Sequence, residues 1–136
     1  MPKFKGVQIN TVKPVNKDKT KPALNWCVGL PGKQVSVFYR RRGQKFGEHF
    51  HKGEDLSRKP ERLLLVKGKM RYSAINLQGQ KMEAIVMSGQ EIIVEPFVFH
   101  SVKALADVIF LEYRATIFDP KKDDIYRWDE FIKYLK

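Results

Sequence analysis

The stretch that decides the fold is GQKFGEHFHKGEDLSRKPERLLLVKG, residues 43–68. It contains two of the three histidines of the chain, His49 and His51, and the carboxylate of Glu61 follows ten positions after the second. On a β-strand the side chains at i and i+2 lie on one face, so the sequence predicts that both imidazoles point together while Phe50 points away. If the segment ERLLLV pairs beside that strand, Glu61 reaches the same place. Two imidazoles and a carboxylate form part of a metal site.

On both sides of this stretch, short segments rich in β-branched and aromatic residues alternate with turns. The segments are ALNWCVGL, QVSVFYR, RLLLV, MRYSAINL, KMEAIVM, EIIVEPFVFHSV and DVIFLEYRATIF, and glycine-containing turns such as LPGK, KGK and QGQ separate them. Seven or more such segments predict an all-β sandwich or small barrel. Only the end departs from this pattern. Apolar residues at helical spacing predict one short C-terminal helix over residues 123–136.

The size and composition are those of one domain covering residues 1–136, with a lysine-rich N-terminal arm or edge segment over residues 1–22. No apolar run approaches the roughly 20 residues of a membrane-spanning helix. The first ten residues also lack the apolar block of a secretory signal. We therefore expect a cytoplasmic protein without a membrane partner. The single cysteine, Cys27, agrees with a reducing compartment and is predicted to be a small buried hydrophobe.

The formal net charge is +11, from 26 Lys and Arg against 15 Asp and Glu, which predicts attraction to small anions. Nucleic acid is not favoured, because the sequence has no zinc-finger spacing, basic helix or aromatic RNA-binding signature. A solvated lysine-rich surface is the alternative to a functional anion site. If the run of Arg40, Arg41 and Arg42 lies on a strand, Arg41 or the other two must face inward. An inward arginine needs an anionic partner, such as a phosphate or carboxylate guest.

The spacing of the histidines can be compared with a family. Gly43, five residues, His49-x-His51, then Glu61, six residues and a glycine resembles the first cupin signature, except that nine residues separate His51 from Glu61 where the family has three or four. The second signature places a histidine eleven positions after a glycine, as His100 follows Gly89. Its internal proline and glycine are displaced or missing, and its last asparagine is replaced by alanine.

This resemblance implies a cupin-type jelly-roll β-barrel with one short C-terminal helix. It also implies that His49, His51, Glu61 and His100 hold a divalent metal ion, either zinc, iron, manganese, nickel or copper. Glu54 or Asp55, in the nine-residue insertion, replaces Glu61 if the register differs. The alternative for the paired histidines is ordinary packing or exposure to solvent.

Two segments near the C-terminus give a narrower resemblance. ATIFDPKKDDIY, residues 115–126, is similar to the segment that closes the cupin domain of bifunctional capsular polysaccharide epimerase-reductases. IYRWDEFIKYL, residues 125–135, is similar to the terminal helix of nucleotide-sugar 3,4-ketoisomerases. The resemblance implies an isomerase or epimerase of a nucleotide-linked keto-deoxy sugar in surface polysaccharide synthesis. The alternative is that such a helix caps the base of any small barrel.

In the implied reaction, a base removes the proton beside the keto group, and reprotonation of the enediolate gives the product. Without a metal, His49 or His51 is the expected base. With a metal, these histidines are ligands and the ion polarises the carbonyl, so Tyr39 or Tyr72 becomes the next candidate proton carrier. The diphosphate of the substrate is expected to bind Arg40, Arg42 or Lys45.

Three other functions stay open from the sequence. A non-catalytic cupin would bind a sugar or another small anion without turnover, and a metal-dependent dioxygenase would need a redox-active ion. Nucleic-acid binding by the basic surface would weaken steeply with salt. A homodimer is expected, because edge strands and the N-terminal arm offer surfaces for pairing.

Overall fold

A computed structural model describes residues 4–15 and 32–136. Cys27 and the predicted segment ALNWCVGL lie outside these residues, as does part of the N-terminal arm. The strands are β1 (Val7–Thr11), β2 (Gln34–Arg40), β3 (Lys45–His49), β4 (Glu61–Lys67), β5 (Lys69–Ile75), β6 (Lys81–Met87), β7 (Gln90–Val94), β8 (Phe99–Ala104) and β9 (Val108–Arg114). A 3₁₀ turn spans Leu56–Arg58 and the helix α1 spans Trp128–Phe131.

The strands form two antiparallel sheets. The five-stranded sheet has the order β1-β7-β4-β9-β2, and the four-stranded sheet has the order β3-β8-β5-β6. The predicted all-β class is confirmed, and the topology is consistent with a jelly roll. Within the described residues no strand pairing joins the two sheets, so the architecture is a sandwich rather than one continuous closed sheet.

The core lies between the sheets and follows the two-residue alternation of the strands. On β5 the buried residues are Met70, Tyr72 and Ala74, and their neighbours are more exposed. Strand β9 shows the same alternation from Val108 onward. The hairpin between β4 and β5 turns at Gly68, which has a φ of +97°, and a Cβ there would overlap the backbone carbonyl of Asp107. A side chain at this position would therefore push the hairpin away from β9.

Two elements differ from the sequence-based expectation. EIIVEPFVFHSV is two strands rather than one, because the chain turns at Pro96 and at Phe97, which has a φ of +61°. The C-terminal helix is four residues long and not fourteen. Its start is delayed because Tyr126 is paired through its backbone with Phe50, so the residues before α1 are extended. In the part of the chain that the structure describes, no helix has the length and apolar character needed to cross a membrane.

Candidate metal centre

Four side chains from distant parts of the sequence meet at one end of the sandwich. His49 ends β3, Glu61 begins β4, His100 lies in β8, and His51 follows β3 by two residues. One ligand atom from each lies within 4.8 Å of the others. The structure thus brings together all four residues that the sequence predicted as metal ligands. The expected pairing of the Glu61 strand with the histidine strand was wrong, because β3 and β4 lie in different sheets and Glu61 meets the histidines across the sandwich.

A local irregularity in β3 directs the two neighbouring histidines to one place. The register with β8 shifts between Gly47 and His49, and Glu48 has a φ of +53°. Such a bulge turns the strand and re-aims the side chains that follow it. A Cβ on Gly47 would stand 3.2 Å from the carbonyl oxygen of His100, so glycine allows β3 to lie close to β8 there. The rings of His49 and His51 end 4.8 Å apart, although the strand predicted for both stops at His49.

The rings of His51 and His100 are each oriented by a backbone carbonyl. The ring nitrogen Nδ1 of His51 lies 2.6 Å from the carbonyl oxygen of Asp124, and Nδ1 of His100 lies 3.0 Å from that of Val98. A carbonyl oxygen only accepts, so each Nδ1 carries the proton. Each Nε2 then faces Glu61, at 2.8 Å from His51 and 3.7 Å from His100. A backbone acceptor on one ring nitrogen, with the other left for the ion, is the usual arrangement of metal-ligating histidine.

The segment before α1 holds this arrangement in place through Asp124. Its buried carboxylate accepts hydrogen bonds from the backbone N–H groups of Lys52 at 2.8 Å, Gly53 at 3.0 Å and Asp55 at 3.1 Å. The same residue therefore anchors the inserted loop with its side chain and fixes the tautomer of His51 with its backbone. Nothing in the local sequence pattern pointed to this role.

The pKa shifts of His49, His100 and Glu61 favour the forms that bind a cation, whereas the shift of His51 favours its protonated form. Burial, with the charges of His100 and His51, lowers the pKa of His49 to about 3. Burial also lowers the pKa of His100. Burial acts against protonation of His51 too, but the hydrogen bond and charge of Glu61 outweigh it and raise its pKa. Burial favours the neutral form of Glu61, yet the hydrogen bond from His51 and the charge of His100 hold its pKa below the usual range. Neutral imidazoles and an ionised carboxylate are the forms that bind divalent metals.

His49, Glu61 and His100 line a cavity of about 260 Å³ between the two sheets, and His51 lies behind them. Three phenylalanines form an apolar side of it. The ring of Phe110 stacks on Phe38 with centroids 5.0 Å apart and on Phe46 at 5.4 Å. Arg40 lies beside these rings, with its guanidinium carbon 5.4 to 6.0 Å from the three centroids. The cavity therefore combines the candidate metal site, an aromatic surface and a cation.

Only one of the three residues predicted to hold a diphosphate lines this cavity. Arg40 ends β2 on its inner side, whereas Arg41 and Arg42 lie in the exposed turn after the strand. The expectation that neighbouring arginines alternate faces does not apply to them because the strand has ended. Lys45 is exposed on β3 opposite Lys103, away from the cluster.

The two tyrosines proposed as proton carriers do not line the cavity. Tyr39 is 54% exposed, because it alternates with the inward residues Phe38 and Arg40 on β2. Tyr72 is fully buried and stacks on His100 with centroids 5.9 Å apart. Its hydroxyl has no hydrogen-bond partner among the described residues, and burial with the charge of Glu61 raises its pKa well above the usual value.

The fallback ligands of the inserted loop have other partners. Asp55 accepts from Ser57 and forms an ion pair with Arg114 at 3.3 Å, while the carboxylate of Glu54 accepts from the hydroxyl of Tyr126. Neither belongs to the group of four candidate metal ligands. Glu61 is therefore the carboxylate that lies beside the three histidines, as the sequence predicted.

Sequence reasoning missed two charged residues in the cavity wall, Arg58 and Glu112, which are 9% and 6% exposed. Their side chains lie 3.7 Å apart, and Arg114 approaches Glu112 to 2.7 Å from behind. The signal for Glu112 was present, because it follows Phe110 at the two-residue spacing of inward positions on β9. Arg58 lies on a 3₁₀ turn inside the inserted loop, where no periodicity identifies the inward side.

Comparisons with known proteins bear on the fold. Protein-family models give no match to the sequence, and neither do the curated proteins. Among solved structures, the capsular polysaccharide assembling protein CapF from Staphylococcus aureus is 26% identical over 71% of this chain, with a TM-score of 0.58. This chain spans about a quarter of CapF, since the match covers 26% of that protein.

Two enzymes match over more of their length. QdtA, a sugar 3,4-ketoisomerase from Thermoanaerobacterium thermosaccharolyticum solved in complex with TDP, is 14% identical, with 98% of this chain and 96% of QdtA covered and a TM-score of 0.73. A variant of QdtA was solved with TDP-4-keto-6-deoxyglucose. The dTDP-4-dehydrorhamnose 3,5-epimerase from Sulfolobus tokodaii is 17% identical, covers 90% and 77% of the two chains and has a TM-score of 0.64.

The chain resembles the sugar-nucleotide cupins. The resemblance to cupins that the histidine and glycine spacing predicted is thereby confirmed. At these identities the structural likeness establishes the kind of fold.

Proposed function

We propose that this protein is a metal-binding, jelly-roll cupin that isomerises or epimerises a nucleotide-linked keto-deoxy sugar for surface polysaccharide synthesis. The observation that carries the proposal is the meeting of His49, His51, Glu61 and His100 at a cavity that three of them line. The other groups of that cavity suit a sugar phosphate. The fold comparison with sugar-nucleotide isomerases and epimerases supports the same class of substrate.

The donor set fits a divalent ion. Three imidazoles and one carboxylate match zinc, iron, manganese or nickel, and the four ligand atoms already converge. Burial keeps His49 and His100 neutral, so their lone pairs are available without loss of a proton. A bound ion would act as a Lewis acid that polarises the keto group of the substrate.

The size of the cavity indicates which part of the substrate it holds. A volume of about 260 Å³ is below the range of roughly 300 to 1,000 Å³ that is typical of whole drug-sized ligands. We therefore place the sugar ring inside and the nucleotide at the opening. Arg40, held beside the stacked phenylalanines, would pair with the diphosphate.

The reaction moves a carbon-bound proton on the sugar. A base takes the proton from the carbon next to the keto group, and the C–H electron pair forms the carbon–carbon double bond of an enediolate. Return of the proton to the other face of the same carbon gives the epimer. Its return to the former carbonyl carbon gives the isomer, in which the hydroxyl proton of the neighbouring carbon has moved to the former keto oxygen and left a new keto group behind. The positive charge of Arg58 in the cavity wall would favour the negatively charged intermediate. Because ligand histidines have no free lone pair, another group must carry the proton.

The test begins with metal analysis of protein purified without added metal or chelator. Near-stoichiometric metal is expected in the wild type and its loss in a His49→Ala, His51→Ala double variant. A Glu91→Gln variant is the control, since Glu91 is a buried carboxylate that does not line the cavity. Wild-type protein that stays metal-free and fails to bind zinc, iron, manganese or nickel on titration would contradict the metal site.

The activity is tested by incubation with TDP-4-keto-6-deoxyglucose in deuterium oxide, followed by NMR. Incorporation of deuterium beside the keto group is expected, with formation of an isomer or epimer. Binding of the sugar nucleotide without exchange would indicate a non-catalytic sugar-binding cupin. Oxygen uptake by an iron-loaded protein, with no exchange, would indicate the dioxygenase alternative.

A further inference from the structure

One carboxylate in the cavity wall does not belong to the metal cluster. Glu112 lies on the inner face of β9 with its Cα opposite that of Leu63 on β4, and both side chains line the same cavity as Glu61 and His100. Its oxygens are not among the ligand atoms that converge within 4.8 Å. A metal held by the four ligands therefore leaves Glu112 free for another role.

Two arginines form ion pairs with this carboxylate. The atom Oε1 lies 2.7 Å from Nη2 of Arg114 and 3.7 Å from Nη2 of Arg58. Arg114 is in turn fixed by the hydroxyl of Ser57 at 3.0 Å and by Asp55 at 3.3 Å. Within residues 4–15 and 32–136, Oε1 makes no hydrogen bond. The carboxylate is thus held in the cavity wall by ion pairs, where a guest in the cavity can reach it.

The remaining candidates for proton transfer are less well placed. Tyr39 is on the outer side of its sheet, and Tyr72 does not line the cavity. Arg40 and Arg58 carry protons too firmly to act as bases. Burial, followed by the charge of Glu61, raises the pKa of Glu112, and the charges of Arg58 and Arg114 act in the opposite direction.

We infer that Glu112 is the catalytic residue that carries the proton in the keto-sugar reaction, an assignment that rests on the proposed function. Its carboxylate takes the proton from the carbon next to the keto group, and the C–H electron pair becomes the double bond of the enediolate. The neutral carboxylic acid then returns this proton, or one exchanged with water, to carbon and is again a carboxylate. Arg58, next to it in the wall, balances the charge that passes from the carboxylate to the sugar oxygen.

The experiment compares Glu112→Gln with wild type for deuterium incorporation into TDP-4-keto-6-deoxyglucose. Glutamine keeps the shape and a hydrogen-bond acceptor but does not accept the proton. We expect the exchange rate to fall by about 10² to 10⁴. Binding of the same sugar nucleotide, measured by calorimetry, and the metal content should both match the wild type. This separation of exchange from binding and metal is not expected if Glu112 is merely structural.

The matched control is Glu91→Gln. Glu91 is also a buried carboxylate on a strand, 3.6 Å from an arginine, but it does not line the cavity, so exchange should be unchanged. If Glu112→Gln does not fold, Glu112→Asp keeps the charge and withdraws the oxygen by one methylene. It should still bind the sugar nucleotide and should exchange more slowly than wild type.

Three outcomes would overturn the assignment in distinguishable ways. Absence of exchange in the wild type removes the keto-sugar reaction, and the role of Glu112 with it. Exchange at the wild-type rate in a folded Glu112 variant removes Glu112 alone. Loss of binding or of metal in parallel with exchange shows that Glu112 supports the site and does not transfer the proton.

Discussion

The side chains that fill the space between the two sheets are apolar in one region and largely charged or polar in another. Around β5, β6 and β7 the inward residues are apolar and almost fully buried, as at Met70, Val86 and Ile92. Around the cavity, the inward positions include Glu61, His100 and Glu112 at comparable burial. The same strand alternation forms both regions, so the difference comes entirely from the residues placed on the inner face.

The change from core to site occurs within single strands. Along β9 the inward residues are Val108 and Phe110, then Glu112 and Arg114. Buried charge costs free energy unless it is paired, so the apolar region supplies the stability that lets the charged region persist. We therefore expect substitutions in the charged region to separate into those that unfold the protein and those that affect only the chemistry.

Removal of Arg114 tests the stability of the charged region and has the largest expected effect. Arg114→Met would leave Glu112 without its nearer cation and Asp55 without one of its two. All three side chains are at most 8% exposed. Loss of one partner from a buried ion pair typically costs about 3 to 5 kcal/mol. Urea unfolding measures this cost.

The control is Arg71→Met, which removes an ion pair of 3.1 Å between side chains that are 45% and 64% exposed. An exposed pair contributes about 0 to 1 kcal/mol. Equal destabilisation by the two substitutions would show that the charged network contributes no more than a surface pair, and the contrast between the regions would be smaller than described.

Acid should destabilise the metal-free protein through His49. Its pKa is about 3 in the folded protein and 6.5 ordinarily, so between these values the unfolded chain binds a proton that the folded chain does not. Stability then falls as the pH falls through this window, by about 1.4 kcal/mol per pH unit for one such group. His100, whose pKa is also lowered, acts in the same direction.

His51 does not cancel this slope. Its pKa is raised in the folded protein, so its contribution is fully present below 6.5 and is lost only as the pH rises through the folded value. Urea unfolding between about pH 5 and 6.5 should therefore show a smaller slope in chelator-treated His49→Gln than in wild type. Identical slopes of stability against pH would mean that the fold does not lower the pKa of His49. The neutral imidazole would then no longer support the assignment of His49 as a metal ligand.

The sequence predicted the all-β class and the four residues of the cluster, because strand alternation and the spacing of histidines and glycines are local properties of the chain. It did not predict how the charged wall is assembled. Arg58 reaches the cavity from a loop, and Asp124 fixes His51 from 73 residues away. Tyr39 and Tyr72 were named by residue type, but burial and strand face decide whether a hydroxyl meets the substrate.

The smallest effect is expected for Tyr72→Phe, which tests where the two regions meet. The Tyr72 hydroxyl is buried without a hydrogen-bond partner, so its removal should leave stability unchanged or raise it by about 1 kcal/mol. Because Tyr72 does not line the cavity, deuterium incorporation into the keto sugar should match the wild type, in contrast to Glu112→Gln. A hundredfold loss of exchange in Tyr72→Phe, with binding intact, would show that this hydroxyl reaches the substrate. The tyrosine would then replace Glu112 as the proton carrier, and the functional region would extend through His100 into the apolar core.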